Sequence, residues 1–245
     1  MPVTYSHLGN YGRMGNALFE VAATIGYSKK YNIPFVFPEW NDKKLFNIPD
    51  NFFVNKKNIN TKNQYNEPCF TYREIPYFED VNLFGYFQSY KYFEHCQDYI
   101  RELLTPKNMD DINLFRGVCG IHVRRGDYLK FPNIHPTQTM DYYNKAIELV
   151  PANKFLVFSD DVGWCKQNFK GSRFVVTEEA SGDVDFRMLT ACNHFIIANS
   201  SFSWWAAWLS AHEDKVIISP KKWFGKELDK SSPIVDLIPP EWIQI

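Results

Sequence analysis

A chain of 245 residues with 27 Lys and Arg against 28 Asp and Glu, a formal net charge of −1 and a pI near 6.6 has room for one large α/β unit or two compact halves. It lacks the broad positive field needed to hold nucleic acid by its phosphates or to lie on an anionic membrane, so both partners are excluded. Its 17% aromatic content, from 21 Phe, 14 Tyr and 7 Trp, serves core packing and also suits contact with carbohydrate.

In chain order, Val3 to Leu8 reads as a short strand, and Gly9, Gly12 and Gly15 then punctuate a loop. Leu18, Val21, Ala22 and Ile25 follow at helical spacing and mark one buried face. Phe35 to Phe37 is a second strand, and Pro38 to Pro76 is expected to hold loops and short elements. Residues 82–87 resemble a strand, and Tyr92 to Leu104 a helix that must stop near Pro106 because proline cannot continue it. That stop places a boundary between an N-terminal half, 1–106, and a C-terminal half, 107–245.

From Gly117 onward strands (118–124, 154–158, 173–176, 194–198, 215–218) alternate with helices (139–149, 161–169, 183–192, 202–211). Such alternation predicts a parallel sheet covered on both faces, with ligands gathered at the carboxyl ends of its strands. The tail, Pro233 to Ile245, is expected to pack across the surface. Cysteines 69, 96, 119, 165 and 192 are odd in number and form no CxxC pair, which argues against a disulfide framework or a zinc site. The opening MPVTYSHLGN shows neither the basic start nor the apolar run of a leader peptide, and no apolar stretch is long enough to be an integral membrane segment; a reduced, cytoplasmic protein is expected.

Three segments at strand ends carry chemistry. In His122-Val123-Arg124-Arg125-Gly126-Asp127, strand alternation puts His122 and Arg124 on one side and Arg125 on the other. An arginine there can grip a diphosphate with two parallel hydrogen bonds, or pair with a local carboxylate such as Asp127. In Asn199-Ser200-Ser201-Phe202-Ser203-Trp204-Trp205 a strand enters a helix, and the N–H groups and hydroxyls of its first turn form a natural anion site or an ordinary serine cap, while both tryptophans suit the core. In Phe158-Ser159-Asp160-Asp161 the carboxylates can accept from ribose hydroxyls or cap the next helix. The glycine loop with Arg13 and Asn16 is a weaker signal, since its spacing is not the dinucleotide pattern.

Together these segments resemble the α-1,2-fucosyltransferases of glycosyltransferase family 11, and more distantly other fucosyltransferases sharing the H-x-R-R motif. The resemblance runs through GRMGNALFEVA at 12–22, GYFQSYKYF at 85–93, GIHVRRGDY at 120–128, VFSDD at 157–161 and VDFRMLTACNHFIIANSSFSWWAAWL at 184–209. It implies a compact GT-B-like α/β fold of two facing Rossmann-like halves, the N-terminal one on the acceptor side and the C-terminal one holding a GDP-sugar. By the family's pattern Arg124 holds the β-phosphate, His122 lies beside the nucleotide, and Ser200, Ser201 and Phe202 donate to the phosphates. Asp185 takes the guanine N–H donors, Asp160 or Asp161 faces the nucleoside, and Arg13 and Asn16 complete the donor set.

The implied reaction is an inverting transfer of L-fucose from GDP-fucose, a co-substrate, to a hydroxyl of a glycan acceptor, with no cofactor and no metal. Asp183-Val184-Asp185 spells the D-x-D of metal-dependent transferases, but it opens a predicted helix where acidic residues favour the dipole. Arg124 would offset charge on the departing diphosphate. The sequence leaves the base open among Asp127, Glu20 and His7; each can also be an ion-pair, helix-face or turn residue, the simpler reading for Glu20 and His7. Where many relatives read GNQMFQYA this chain reads GNALFEVA at 15–22, and it is short for a GT-B enzyme, so the acceptor side is expected to differ. A transferase for another GDP-linked 6-deoxyhexose, or a carbohydrate-binding module without catalysis, are the competing readings.

Overall fold

The computed structural model describes residues 2–109, 112–178, 181–229 and 235–245. The chain divides into two compact units, one of Met1–Lys107 with Ser232–Pro239 and the other of Asn108–Ser231 with Pro240–Ile245. Part of the tail thus groups with the first unit.

In the first unit β1 (Val3–Thr4), β2 (Phe35–Pro38), β3 (Phe53–Val54), β4 (Gln64–Asn66) and β5 (Val81–Phe84) form a parallel sheet in the order β3-β2-β1-β5-β4. Helix α1 (Met14–Tyr31) follows β1, and α2 (Gln97–Leu104) lies near the unit's end. β1 is shorter than the expected Val3 to Leu8, because the Ser6 N–H donates to the Asn82 side chain (2.8 Å) and the Leu8 N–H to the Tyr5 carbonyl (3.2 Å), turning the chain out of the ladder. The expected helix from Tyr92 begins instead as two 3-10 turns, Tyr90–Tyr92 and Glu94–Cys96.

In the second unit β6 (Val118–Val123), β7 (Lys154–Ser159), β8 (Phe174–Val176), β9 (His194–Ile196), β10 (Ile217–Ser219) and β11 (Ile243–Gln244) form a parallel sheet ordered β11-β10-β9-β6-β7-β8. The intervening helices are α3 (Met140–Leu149), α4 (Val162–Asn168), α5 (Gly182–Ala191) and α6 (Ser201–Leu209). β6 is buried along nearly its whole length, as a central parallel strand covered on both faces must be. Cys119, Ile121 and Val123 meet Tyr143 and Ala146 of α3 and Phe155 and Val157 of β7 in the core. Trp204 and Trp205 are fully buried. The tail does more than cross a surface: Trp242 packs at a tilt against Trp204 (5.4 Å between centroids) and β11 extends the sheet beside β10, while Pro233 and Ile234 lie outside the described residues. Among the described residues no helix is long and apolar enough to cross a membrane.

Candidate functional site

The second sheet grows outward in both directions from one pair of neighbours. The chain runs from β6 to β7 and β8 on one side, then returns to lay β9, β10 and β11 on the other. The order therefore reverses between β6 and β9, and at such a switch point the loops leaving two adjacent strands part and open a crevice at their carboxyl ends. The loop leaving β6 begins with Arg124, and the one leaving β9 runs Ile197-Ala198-Asn199-Ser200 into α6. Adjacent tyrosines of α3 tether both: the Tyr143 hydroxyl donates to the His122 carbonyl (3.2 Å) and the Tyr142 hydroxyl to the Ile197 carbonyl (2.6 Å).

The two arginines have different surroundings. Arg124 reaches Asp127 with one guanidinium nitrogen and Asp160 (2.7 Å) with the other, and lies over the Tyr128 ring at 5.3 Å. Arg125 turns the opposite way: its Nε meets Asp161 at 2.9 Å and its guanidinium sits 4.3 Å over the Trp164 ring. Asp161 also caps α4 by accepting the Trp164 N–H (3.1 Å), and Asp160 accepts the Arg125 N–H (2.9 Å). Gly126 allows this closeness, since a Cβ there would stand 2.6 Å from the Asp160 carboxylate.

His122 is buried, and its Nδ1 is hydrogen-bonded to the Ser203 hydroxyl (2.9 Å). Burial, reinforced by the Arg124 charge, lowers its pKa to about 4, so the ring is neutral at physiological pH. Its ring packs against Phe202 (5.4 Å), which meets Phe186 edge-on (5.2 Å) and so ties the start of α6 to α5. Ser200 holds the cap position of α6 in an extended conformation without a side-chain cap bond. The first-turn N–H groups of such a helix carry partial positive charge. Asp185, in the first turn of α5, has one buried carboxylate oxygen with no hydrogen-bond partner in the structure, and burial raises its pKa to about 6. Asp183 lies 3.7 Å from Arg187.

His122, Arg124, Asp127, Asp160, Ser200, Ser201 and Phe202 thus share the switch point, with Asp185 on the adjoining helix. Arg13 and Asn16 belong to the first unit, where Arg13 precedes α1 and Asn16 accepts from the Gln88 amide (2.9 Å). Glu20 departs from the expected ion-pair or helix-face role: it is fully buried, and neither carboxylate oxygen has a hydrogen-bond partner in the structure. His7 bonds to the Ser6 hydroxyl (3.1 Å) and packs beside Tyr11 and Phe84. In the same unit a cavity of about 440 Å³ at the ends of β1, β2 and β3 is lined by the polar Ser6, Asn10, Glu39, Asn55 and Lys56 and the apolar Leu8 and Pro38. Sequence reasoning missed Ser203 as the partner of His122 and Tyr128 as the platform under Arg124; both lie inside quoted motifs, but only long-range pairing gives them a role.

The family model for glycosyl transferase family 11 matches residues 30–245. The O-antigen biosynthesis glycosyltransferase WbnK of Escherichia coli is 33% identical over 186 residues, covering 66% of this chain and 60% of that protein. An alpha-1,2-colitosyltransferase of Escherichia coli is 32% identical over 185 residues, covering 67% and 62%. Galactoside alpha-(1,2)-fucosyltransferase 2 of Sus scrofa is 29% identical over 269 aligned positions, covering 96% and 78%. The match spans about three fifths of the length of the two bacterial relatives. The solved structure of the alpha-1,6-fucosyltransferase NodZ, soaked with GDP-fucose, has a TM-score of 0.47 and 13% identity, covering 85% of this chain and 90% of that one.

Proposed function

The chain belongs to glycosyl transferase family 11, and from that premise we propose that it is an inverting transferase moving L-fucose from GDP-fucose to a galactoside-type hydroxyl in α-1,2 linkage. The observation that carries the reading is the convergence of Arg124 and the start of α6 on the switch point between β6 and β9. A planar fork and a helix N-terminus are two independent anion grips, and a diphosphate offers oxygens to both.

In this reading Arg124 exchanges a carboxylate partner for the β-phosphate and offsets the charge that builds on the leaving group as the anomeric bond breaks. Diphosphate leaves as a stable anion and needs no general acid. Ser200, Ser201 and Phe202 present donors to the phosphates, and neutral His122 lies beside the nucleotide without adding charge. The unsatisfied Asp185 oxygen suits the paired N–H donors of guanine. Asp127, released from Arg124, is the group we assign to accept the acceptor's proton, and Asp160 faces the nucleoside. The first unit serves as the acceptor side, and its cavity at three strand ends, lined by polar and apolar side chains, supports that assignment. Transfer runs without a metal or cofactor, in a cytoplasmic setting where the five free thiols persist.

The identity to an alpha-1,2-colitosyltransferase favours a second reading, in which the donor carries another GDP-linked deoxyhexose. Mass spectrometry of reactions with a panel of GDP-sugars and a galactoside decides between them: fucosyl product dominant supports the first, another deoxyhexosyl product the second, and no transfer from any donor contradicts both.

A further inference from the structure

One side chain crosses the switch point of the second sheet. Tyr128 leaves the β6 side four residues after Arg124, lies 5.3 Å beneath its guanidinium, and donates its hydroxyl to the Asn199 carbonyl on the β9 side (3.0 Å). Neither end of this bridge is loose. The Tyr128 ring stacks on His135, with centroids 4.7 Å apart and planes at 18°, and His135 is held by an N–H bond to the Phe131 carbonyl (2.8 Å) and by Phe224 (6.2 Å). Asn199 is buried, donates to the Pro136 (3.0 Å) and Trp223 (2.8 Å) carbonyls, and accepts from the Gln138 amide (3.1 Å). The stretch from Tyr128 to Gln138 therefore straps the β6 loop to the β9 loop, and Tyr128 is its contact with the arginine.

An arginine side chain has many rotamers, and two carboxylates already draw Arg124 to one side. A ring face under the guanidinium restricts its plane, and a hydroxyl bonded to Asn199 refers that plane to the residue immediately before Ser200. We propose that Tyr128 is a positioning residue that sets the spacing between the Arg124 guanidinium and the Asn199–Ser201 turn, so that both grip one diphosphate. The inference rests on the reading of the switch point as the GDP-sugar site. It separates diphosphate from monophosphate ligands, since a single phosphate can settle on either grip and is indifferent to their spacing.

The test is calorimetric binding of GDP and GMP to the full chain and to the Tyr128→Phe and Tyr128→Leu variants, with melting temperatures measured alongside. Phenylalanine keeps the ring under Arg124 and loses one hydrogen bond, so GDP affinity should fall about fivefold. Leucine loses the platform as well, and the fall should reach roughly 20- to 30-fold. GMP affinity should change less than about twofold in both, and Tyr128→Leu added to Arg124→Lys should cost less than about twofold more, because the two residues act through one contact. Equal losses for GDP and GMP, or additive losses in the double variant, would overturn the inference. Should leucine prevent folding, the GDP-to-GMP ratio of Tyr128→Phe decides alone. A wild-type chain that binds GDP while both variants match it refutes only the role of Tyr128, whereas a wild-type chain that does not bind GDP refutes the site itself.

Discussion

The two units treat charge in opposite ways. In the second, Arg124 has Asp127 and Asp160, Arg125 has Asp161, and Asp127 and Asp160 remain partly open to solvent. In the first, Glu20 is wholly enclosed on α1 without a hydrogen bond, and Glu67 accepts the Tyr86 (2.7 Å) and Phe87 (3.0 Å) N–H groups with one oxygen while the other is buried without a hydrogen-bond partner. The neighbouring Tyr5 hydroxyl donates to the Gly85 carbonyl (2.8 Å), and its interaction with Glu20 offsets only part of the effect of burial. Burial raises Glu20 to about 8 and Glu67 to about 7, and both acids are largely neutral under mildly acidic conditions. Paired charges that solvent can reach are available to exchange partners with a ligand. Unpaired buried acids instead make stability depend on pH.

The sharpest way to break this contrast is Arg124→Lys, which keeps the charge and removes the fork. Turnover should fall on the order of 100- to 1,000-fold while GDP affinity falls by roughly 20- to 30-fold, as in Tyr128→Leu, since the α6 turn remains. Near-normal turnover in a folded variant would remove Arg124 from the chemistry. On the other side of the comparison, burial pushes the Glu20 carboxyl up to about 8 in the folded chain from the ordinary 4.5. The folded state therefore holds a proton that the unfolded state gives up between those values, and stability falls as pH rises through that window. Glu20→Gln should raise stability by on the order of 3 kcal/mol at pH 8 and by little at pH 5; thermal melts with the same increment at both pH values would contradict the burial argument.

Asp185→Asn should weaken GDP by about 1–3 kcal/mol per hydrogen bond left unmet and ADP by less, with calorimetry of both nucleotides as the measurement. Arg125→Lys, which loses the Nε bond to Asp161 and the Trp164 face, should cost about 1 kcal/mol of stability and leave turnover per folded molecule nearly unchanged. An inactive but stable Arg125→Lys would reverse the assignment of the two arginines. The smallest expected effect is that of excess EDTA, which should leave the rate unchanged; loss restored by manganese or magnesium would give the Asp183-Val184-Asp185 triplet a metal after all.

Much of the second unit was legible from its sequence. Largely apolar runs such as Cys119 to Val123, broken only by His122, and Phe155 to Phe158 are bounded by polar turns, and each run sits on a mostly buried parallel strand. Alternation along β6 likewise anticipated the opposite surroundings of Arg124 and Arg125. β4 was not legible: Gln64-Tyr65-Asn66 is a polar edge strand, defined by its ladder with β5 rather than by its side chains. Nor was the burial of Glu20, because a charged residue at helical spacing reads as a solvent face until tertiary packing encloses it. Within the site, the motif residues could be named from the chain, while the Tyr128 to Asn199 bond joins positions 71 residues apart and depends on β6 and β9 becoming neighbours.

In the proposed reaction the switch point of the second unit holds a GDP-sugar, and the displacement there inverts the sugar's anomeric centre. NMR of the product formed from GDP-fucose and a galactoside, with released GDP quantified in the same reaction, tests it most directly. One GDP is expected for each new α-linked fucosyl group on the 2-hydroxyl, with the configuration inverted relative to the donor; a product that retains the donor's configuration, or GDP-fucose left intact by the folded chain, would overturn the proposal.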